Sequence, residues 1–194
     1  MNRLKTRITA MLLLFSIYSF SQNTIYYYGQ SEKKFEEGNL VNKLKEGEWK
    51  KYHSNGNIWE IGKYSKGLKD GEWKSYHPEG GISELWNYKN GIAIGESKYI
   101  FQNGKTQMIQ NFDSKGQLSG VRKTYSFEGE LRIEENFLNG NLHGIYKRYA
   151  EKGRLVETGE YNNSKKVGVW KLYNINGEVV IFPFLVTLKS RDFI

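Results

Sequence analysis

The amino-acid sequence predicts an all-β protein built of six tandem hairpin units of about 24 residues, and three observations predict it. Glycine restarts a shared pattern at Gly47, Gly71, Gly95, Gly120, Gly144 and Gly168. A second glycine column lies nine residues on, at Gly56, Gly80, Gly104, Gly129, Gly153 and Gly177, so the two columns take twelve of the 21 glycines and the period organises the chain. Asn55-Gly56, Asn103-Gly104 and Asn176-Gly177 sit between strand-like runs, a hairpin signal because glycine accepts positive φ without a Cβ clash. Finally, 15% of the residues are aromatic, which suits pleated strands, and no window beyond the N-terminus carries a helical apolar period.

Residues 1–21 read as a secretory signal. Arg3, Lys5 and Arg7 precede a largely apolar run over 8–20, and Ser19 and Ser21 supply small residues where a signal peptidase reads. That run is short of the ~20 residues a spanning helix needs, so a retained anchor is the alternative and no transmembrane segment is expected in the mature chain. Cleavage after Ser21 reduces 29 basic residues to 26, against 21 acidic ones. Cysteine is absent, so an exported chain must hold together by packing and hydrogen bonds, and the signal region lacks the thiol of a lipoprotein anchor. The expected location is periplasmic or extracellular, soluble or peripherally attached.

Residues 22–46 are expected to form an N-terminal cap and a degenerate half repeat. Ile25-Tyr26-Tyr27-Tyr28 reads as an edge strand, and Phe35-Glu36-Glu37-Gly38 echoes Tyr64-Ser65-Lys66-Gly67. The six units then occupy 47–185. Their third column holds Trp49, Trp73, Ser97, Arg122, Tyr146 and Trp170, and their sixth Tyr52, Tyr76, Ile100, Tyr125, Tyr149 and Tyr173. The eighteenth is aromatic in the five complete units: Tyr64, Tyr88, Phe112, Phe137 and Tyr161. Each unit reads as strand, tight Asn-Gly-type turn, strand, then a looser turn at Lys66-Gly67, Asn90-Gly91 or Asn139-Gly140. Two hairpin registers are open. A two-residue turn places Trp49 over Gly62 and Tyr146 over Gly159, whereas a three-residue turn with a glycine bulge pairs Tyr52 with Ile58 and Tyr149 with Leu155. The third unit departs from the pattern, with Ser97 and Ile100 in aromatic columns and one extra residue before Gly120. The stretch over 179–186 is strongly apolar and broken by Pro183; residues 179–188 are expected to close the far edge, and 186–194 form the C-terminal tail.

These columns resemble the MORN-repeat family, in particular its bacterial variant, whose units read roughly G-x-W-x-x-Y-x-x-x-G-x-L followed by an aromatic and a further glycine turn. The resemblance covers about residues 35–180. It implies an elongated, twisted, single-layer antiparallel sheet with binding or scaffolding roles, and some bacterial relatives are labelled antitoxin-like partners.

No catalytic constellation emerges. Gly104-Lys105-Thr106 has Tyr99 where a phosphate-binding loop needs glycine, and no helix follows it. His53 and His77 share a column, but successive hairpins are ~9.5 Å apart, so solvated surface histidines are expected rather than a metal pair. Asp70, Asp113 and Asp192 lie too scattered for a nucleophilic triad. A non-enzymatic protein without metal or cofactor is therefore expected. The aromatic columns, Trp49, Trp73, Tyr146 and Trp170 with Tyr52, Tyr76, Tyr125, Tyr149 and Tyr173, serve as structural packing in a thin sheet, with a stacking ladder for sugars as the alternative. The fourth column is lysine in every unit: Lys50, Lys74, Lys98, Lys123, Lys147 and Lys171. It either keeps the sheet soluble or presents a stripe of charge to an anionic surface, a glycan or an acidic partner. The last three lysines are expected to bind best, because Glu48, Glu72 and Glu96 give way to Val121, Ile145 and Val169 beside them. The function expected is an envelope protein-interaction scaffold. The alternatives are an antitoxin- or immunity-like partner of one protein and a peripheral binder of glycan or anionic surface; nucleic acid is not expected.

Overall fold

The computed structural model describes residues 21–27 and 33–181. The signal over 1–20, Tyr28, Pro183 and the 186–194 tail lie outside the described residues. In chain order the strands are β1 (Ser21–Tyr27), β2 (Lys34–Val41), β3 (Leu44–Tyr52), β4 (Ile58–Ser65), β5 (Leu68–Tyr76), β6 (Ile82–Lys89), β7 (Ile92–Ala93) and β8 (Gly95–Ile100). There follow β9 (Thr106–Phe112), β10 (Gly120–Tyr125), β11 (Leu131–Leu138), β12 (Asn141–Leu142), β13 (Gly144–Tyr149), β14 (Leu155–Asn162), β15 (Lys165–Tyr173) and β16 (Val179–Ile181). The one helical turn among the described residues is the 3-10 segment Glu151–Gly153. All strands belong to one open antiparallel sheet in sequence order, with β1 at one end and β16 at the other; the short β7 and β12 pair beside β6 and β11. Fourteen strands along that path at ~4.8 Å give a long axis of ~62 Å.

The two turn classes are the reverse of the sequence expectation. The Asn-Gly-type turns are the longer ones: His53 N donates to Asn57 O at 2.8 Å and Gly56 N to His53 O at 2.9 Å, and the same pattern recurs at His77 and Phe101. Asparagine suits this loop because its side chain closes it, as where Asn55 Oδ1 accepts from Asn57 N at 3.0 Å. The links between units are the tight two-residue turns. Lys66 and Gly67 have φ of 50° and 82°, and Asn90 and Gly91 of 49° and 80°, the left-handed pair that matches strand twist. The extra residue of the third unit is absorbed here: Asp113 N bonds to Gln117 O at 2.9 Å, so the link before Gly120 becomes the longer type.

Both hairpin registers that the sequence leaves open occur in the same hairpin. Tyr52 pairs with Ile58 and Trp49 with Gly62, because one extra residue on β4 shifts the register between Lys51 and Tyr52. The same shift separates Tyr149–Leu155 from Tyr146–Gly159. A second irregularity opens every unit. Gly38 pairs with Trp49 but Asn39 with Glu46, so Gly47 and Glu48 stand out of the β2–β3 ladder. Gly47 adopts φ 70° there and the other unit-opening glycines are likewise positive, which explains that column.

Without a second layer, burial is confined to a few side chains. The buried apolar residues among those described are Trp49, Trp73, Phe137 and Trp170. They lie on one face of the sheet, hereafter the indole face. Lys50 pairs with Ile61 directly beside the Trp49–Gly62 pair, so it points to the opposite face.

Candidate functional site

The indole face is occupied by its own packing. Trp49 has glycine opposite it on both sides, Gly38 on β2 and Gly62 on β4. Its ring leans back over Gly38, and Gly62 is covered instead by Trp73 of the next unit, as Gly159 is by Trp170. The expectation that Trp49 covers Gly62 and Tyr146 covers Gly159 is thereby corrected: the contact joins successive units rather than closing one hairpin. The reason is a hydrogen bond on that side. Trp49 Nε1 donates to Asn39 O and Trp73 Nε1 to Lys63 O, each at 3.1 Å.

The outer face of each indole is covered too. Lys45, Lys69 and Lys166 place Nζ at 4.2, 3.9 and 3.7 Å from the rings of Trp49, Trp73 and Trp170. Carboxylates hold those lysines in place: Glu36 at 2.7 Å from Lys45, Glu60 at 2.5 Å from Lys69, and Glu157 at 3.4 Å from Lys166. Tyr64 wedges edge-on between Trp49 and Trp73, at 6.0 and 4.9 Å, and Tyr161 does the same beside Trp170 at 5.0 Å. Burial, with Glu60 and Glu36 adding, pushes the Tyr64 phenol up to about 12. With Trp49 and Trp73 each 2% exposed and Trp170 5%, these three column indoles have no plane free to stack on a sugar, whereas Trp59, outside the column, is exposed.

The third unit follows the same rule with the partners exchanged. Trp73 pairs with Trp86 in the column where the first and fifth units carry Gly62 and Gly159. Trp86 lies 5.4 Å from Phe112 and 5.7 Å from Tyr99, filling the space that Ser97 leaves. One unit further on the packing turns polar, where Arg122 bonds Glu135 at 2.6 Å and lies 4.5 Å over Phe137.

Both rims of the sheet are tied unit to unit. His53 and His77, expected as solvated side chains, are half-buried, and their Nε2 atoms donate to Tyr76 O and Ile100 O at 2.9 Å. They enter their loops pointing at the next loop, where a carbonyl waits. Lys105 of the Gly104-Lys105-Thr106 stretch likewise donates to Glu128 O at 2.9 Å. On the other rim, Gly67 N donates to Lys45 O at 2.9 Å and Gly91 N to Lys69 O at 2.8 Å. Among the described residues, no group of three or more His, Cys, Asp or Glu is placed to hold a metal ion.

The opposite face carries the lysine column. Strand pairing sets Lys50, Ile61, Lys74, Leu85, Lys98, Ile109 and Lys123 directly opposite one another in a row across the sheet. The row continues through Glu134, Lys147, Thr158 and Lys171. Two residues along each strand runs the parallel row of Tyr52, Tyr76, Ile100, Tyr125, Tyr149 and Tyr173. The two aromatic columns therefore serve opposite faces. Lys50 and Lys74 pair with Glu48 and Glu72 at 3.1 and 3.0 Å, and the Glu72 bond raises the Lys74 pKa above its ordinary value. Lys123 and Lys147 share Glu134 at 3.8 and 3.7 Å. So the last three units have their own neutralising carboxylate, within the row itself, which the sequence reading of that half left out. Among the described residues no carboxylate lies within ion-pair distance of Lys98 or Lys171. A shallow hollow of about 430 Å³ opens on this face, lined by Lys74, Tyr76, Ile61, Glu48 and Glu72 among others. At the start of the Tyr row, Tyr52 bonds Glu37; burial first and this bond second push its phenol up to about 12.

The family model described as the MORN repeat variant matches the chain three times, over residues 45–66, 69–90 and 142–163. No curated protein matches it. The unmatched hairpins include those in which Ser97 and Arg122 stand in the Trp column.

Proposed function

We propose that this chain, three of whose units match the MORN repeat variant, is an exported, non-catalytic protein-interaction scaffold of the cell envelope that binds through its lysine face. MORN repeats support a binding role. One observation carries the choice of face: the indole face is sealed by its own glycine, lysine and tyrosine contacts, whereas the lysine face has no covering layer. Export is supported by the basic start, short apolar run and small residues of 1–21. Among the described residues no helix is long and apolar enough to cross a membrane.

The test is a pull-down from native envelope fractions with the parent chain and the K50E/K74E/K98E variant. A discrete partner retained by the parent and lost by the variant supports the scaffold, and equal retention overturns the choice of face. The mass of the chain recovered from the envelope checks cleavage after Ser21. The lysine row also favours a second reading, a peripheral binder of anionic surfaces or glycans. Salt-sensitive retention on anionic vesicles or acidic polysaccharide, with no protein partner, would establish it.

A further inference from the structure

The lysine row has a period, and a period selects a ligand. Successive lysines are two strands apart, ~9.6 Å at ~4.8 Å per strand. A ligand running along this row crosses the strands and must present charge at that interval on one side. An extended β-segment alternates faces every ~3.3 Å, so its same-side residues recur at ~6.7 Å and miss the lysines. Two turns of α-helix advance ~10.8 Å, overshooting each interval by more than 1 Å. A polyproline II segment has three residues per turn and rises ~3.1 Å per residue, so every third side chain returns to the same side after ~9.3 Å.

The surface suits the shape of such a segment as well as its period. The tyrosine row runs parallel to the lysines, two residues or ~6.7 Å away along each strand, and makes the second wall of a trough. Between the lysines of the row stand the uncharged Ile61 and Leu85, and the hollow of about 430 Å³ opens at Ile61, reaching Lys74 and Tyr76 on one side and Glu48 and Glu72 on the other. A three-sided helix in that trough turns one side to the lysines, one to the tyrosines and one to solvent. We propose that the lysine face binds an acidic protein segment in polyproline II conformation, with a carboxylate at every third residue and proline against the tyrosine wall. The proposal rests on the scaffold reading and names its partner's chemistry.

Two features set the extent of the site. Neighbouring strands rotate by ~20–25°, so the face turns by roughly 45° per unit and a straight ligand stays in contact with about three lysines. Glu134 and Thr158 interrupt the row beyond Lys123, so the site centres on Lys50, Lys74 and Lys98. Glu48 and Glu72 are ligand mimics here. Their side chains are 55% and 62% exposed, so their bonds to Lys50 and Lys74 are weak enough for an incoming carboxylate to displace.

The probe is a synthetic (Glu-Pro-Pro)₅ peptide, titrated against the full chain beside a block peptide of the same composition with its five glutamates together. Three exposed ion pairs in register favour the periodic peptide by about tenfold in Kd. K74Q/K98Q abolishes that preference, Y76A weakens the periodic peptide selectively, and E48Q/E72Q tightens it. Equal affinity for the two peptides overturns the proposal and leaves an unselective polyanion surface, as does tighter binding of anionic vesicles than of either peptide. Failure of the scaffold reading is separable. If K50E/K74E/K98E loses an envelope protein partner while the periodic peptide shows no preference, the scaffold stands and the polyproline II ligand falls.

Discussion

Replacing Gly62 by alanine adds one methyl group to a 194-residue chain, and the structure says that the methyl has nowhere to go. A Cβ at Gly62 would lie 2.2 Å from Cδ2, 2.4 Å from Cε2 and 2.6 Å from Cγ of Trp73. The φ of Gly62 is ordinary, so the backbone tolerates alanine and the cost is purely steric. Cγ is the anchored end of the indole, and the ring cannot slide away: Lys69 sits 3.9 Å above it, Tyr64 4.9 Å beside it, and Nε1 is bound to Lys63 O. It must leave its site. The lost hydrogen bond costs ~1 kcal/mol, the aromatic contacts ~0.5–1.5 kcal/mol and partial re-exposure of the ring the rest, below the ~3–5 kcal/mol of deleting a buried tryptophan. We expect ~3 kcal/mol, a Tm fall of ~6–12 °C for a chain of this length. Urea unfolding followed by far-UV circular dichroism measures it, with the slope checked because a repeat array can unfold in parts. The decisive comparison is the double mutant. In a Trp73→Ala background the clash is gone, so Gly62→Ala should cost nothing or stabilise by up to ~1 kcal/mol as alanine replaces glycine in a strand. Additive losses in the two backgrounds would refute the interlock.

Three further outcomes follow from the contacts. Removing the His53 and His77 struts by alanine should cost ~1 kcal/mol each, and an unchanged urea midpoint would show that these bonds contribute nothing. Tyr64 and Tyr52 have folded pKa values of about 12, above the ordinary ~10, so their contribution is complete below pH 10 and is lost as pH rises through 12; native-state phenolate absorbance appearing near pH 10 at these two positions would contradict it. Glu37 behaves in the opposite sense. The Lys34 bond and then the Tyr52 bond lower its pKa, so its contribution is present above pH ~4.5 and fades as pH falls through the depressed value, which Glu37→Gln should abolish in an acid-unfolding titration.

The period, the all-β class and the hairpin count were legible because glycine columns record backbone geometry directly. Which turn was tight was not, since asparagine-glycine serves both a two-residue turn and the closing end of a longer loop, and only the pairing of His53 with Asn57 separates them. The register looked like a choice because the bulged residue on β4 carries no composition signal, and Trp59 reads as any strand aromatic. The lysine column was visible, but its setting depended on partners 11 or more residues away, such as Ile61 and Glu134. The lysines that cover the indoles were missed altogether. Their sign was present in Lys45, Lys69 and Lys166, each two residues before a unit-opening glycine.

The order of the strands also determines how the molecule carries load. Its first and last described strands are the two ends of the sheet, and every strand lies across the line joining them. Tension along that line strains the ladder bonds of one strand pair at a time, as in opening a zipper, instead of shearing a whole row together. Each hairpin that peels away frees 24 residues, ~80 Å of slack at ~3.4 Å per residue, while the hairpins behind it keep their pairing. A chain fixed at both ends would therefore yield in even, low-force steps and shorten again by the same steps when released.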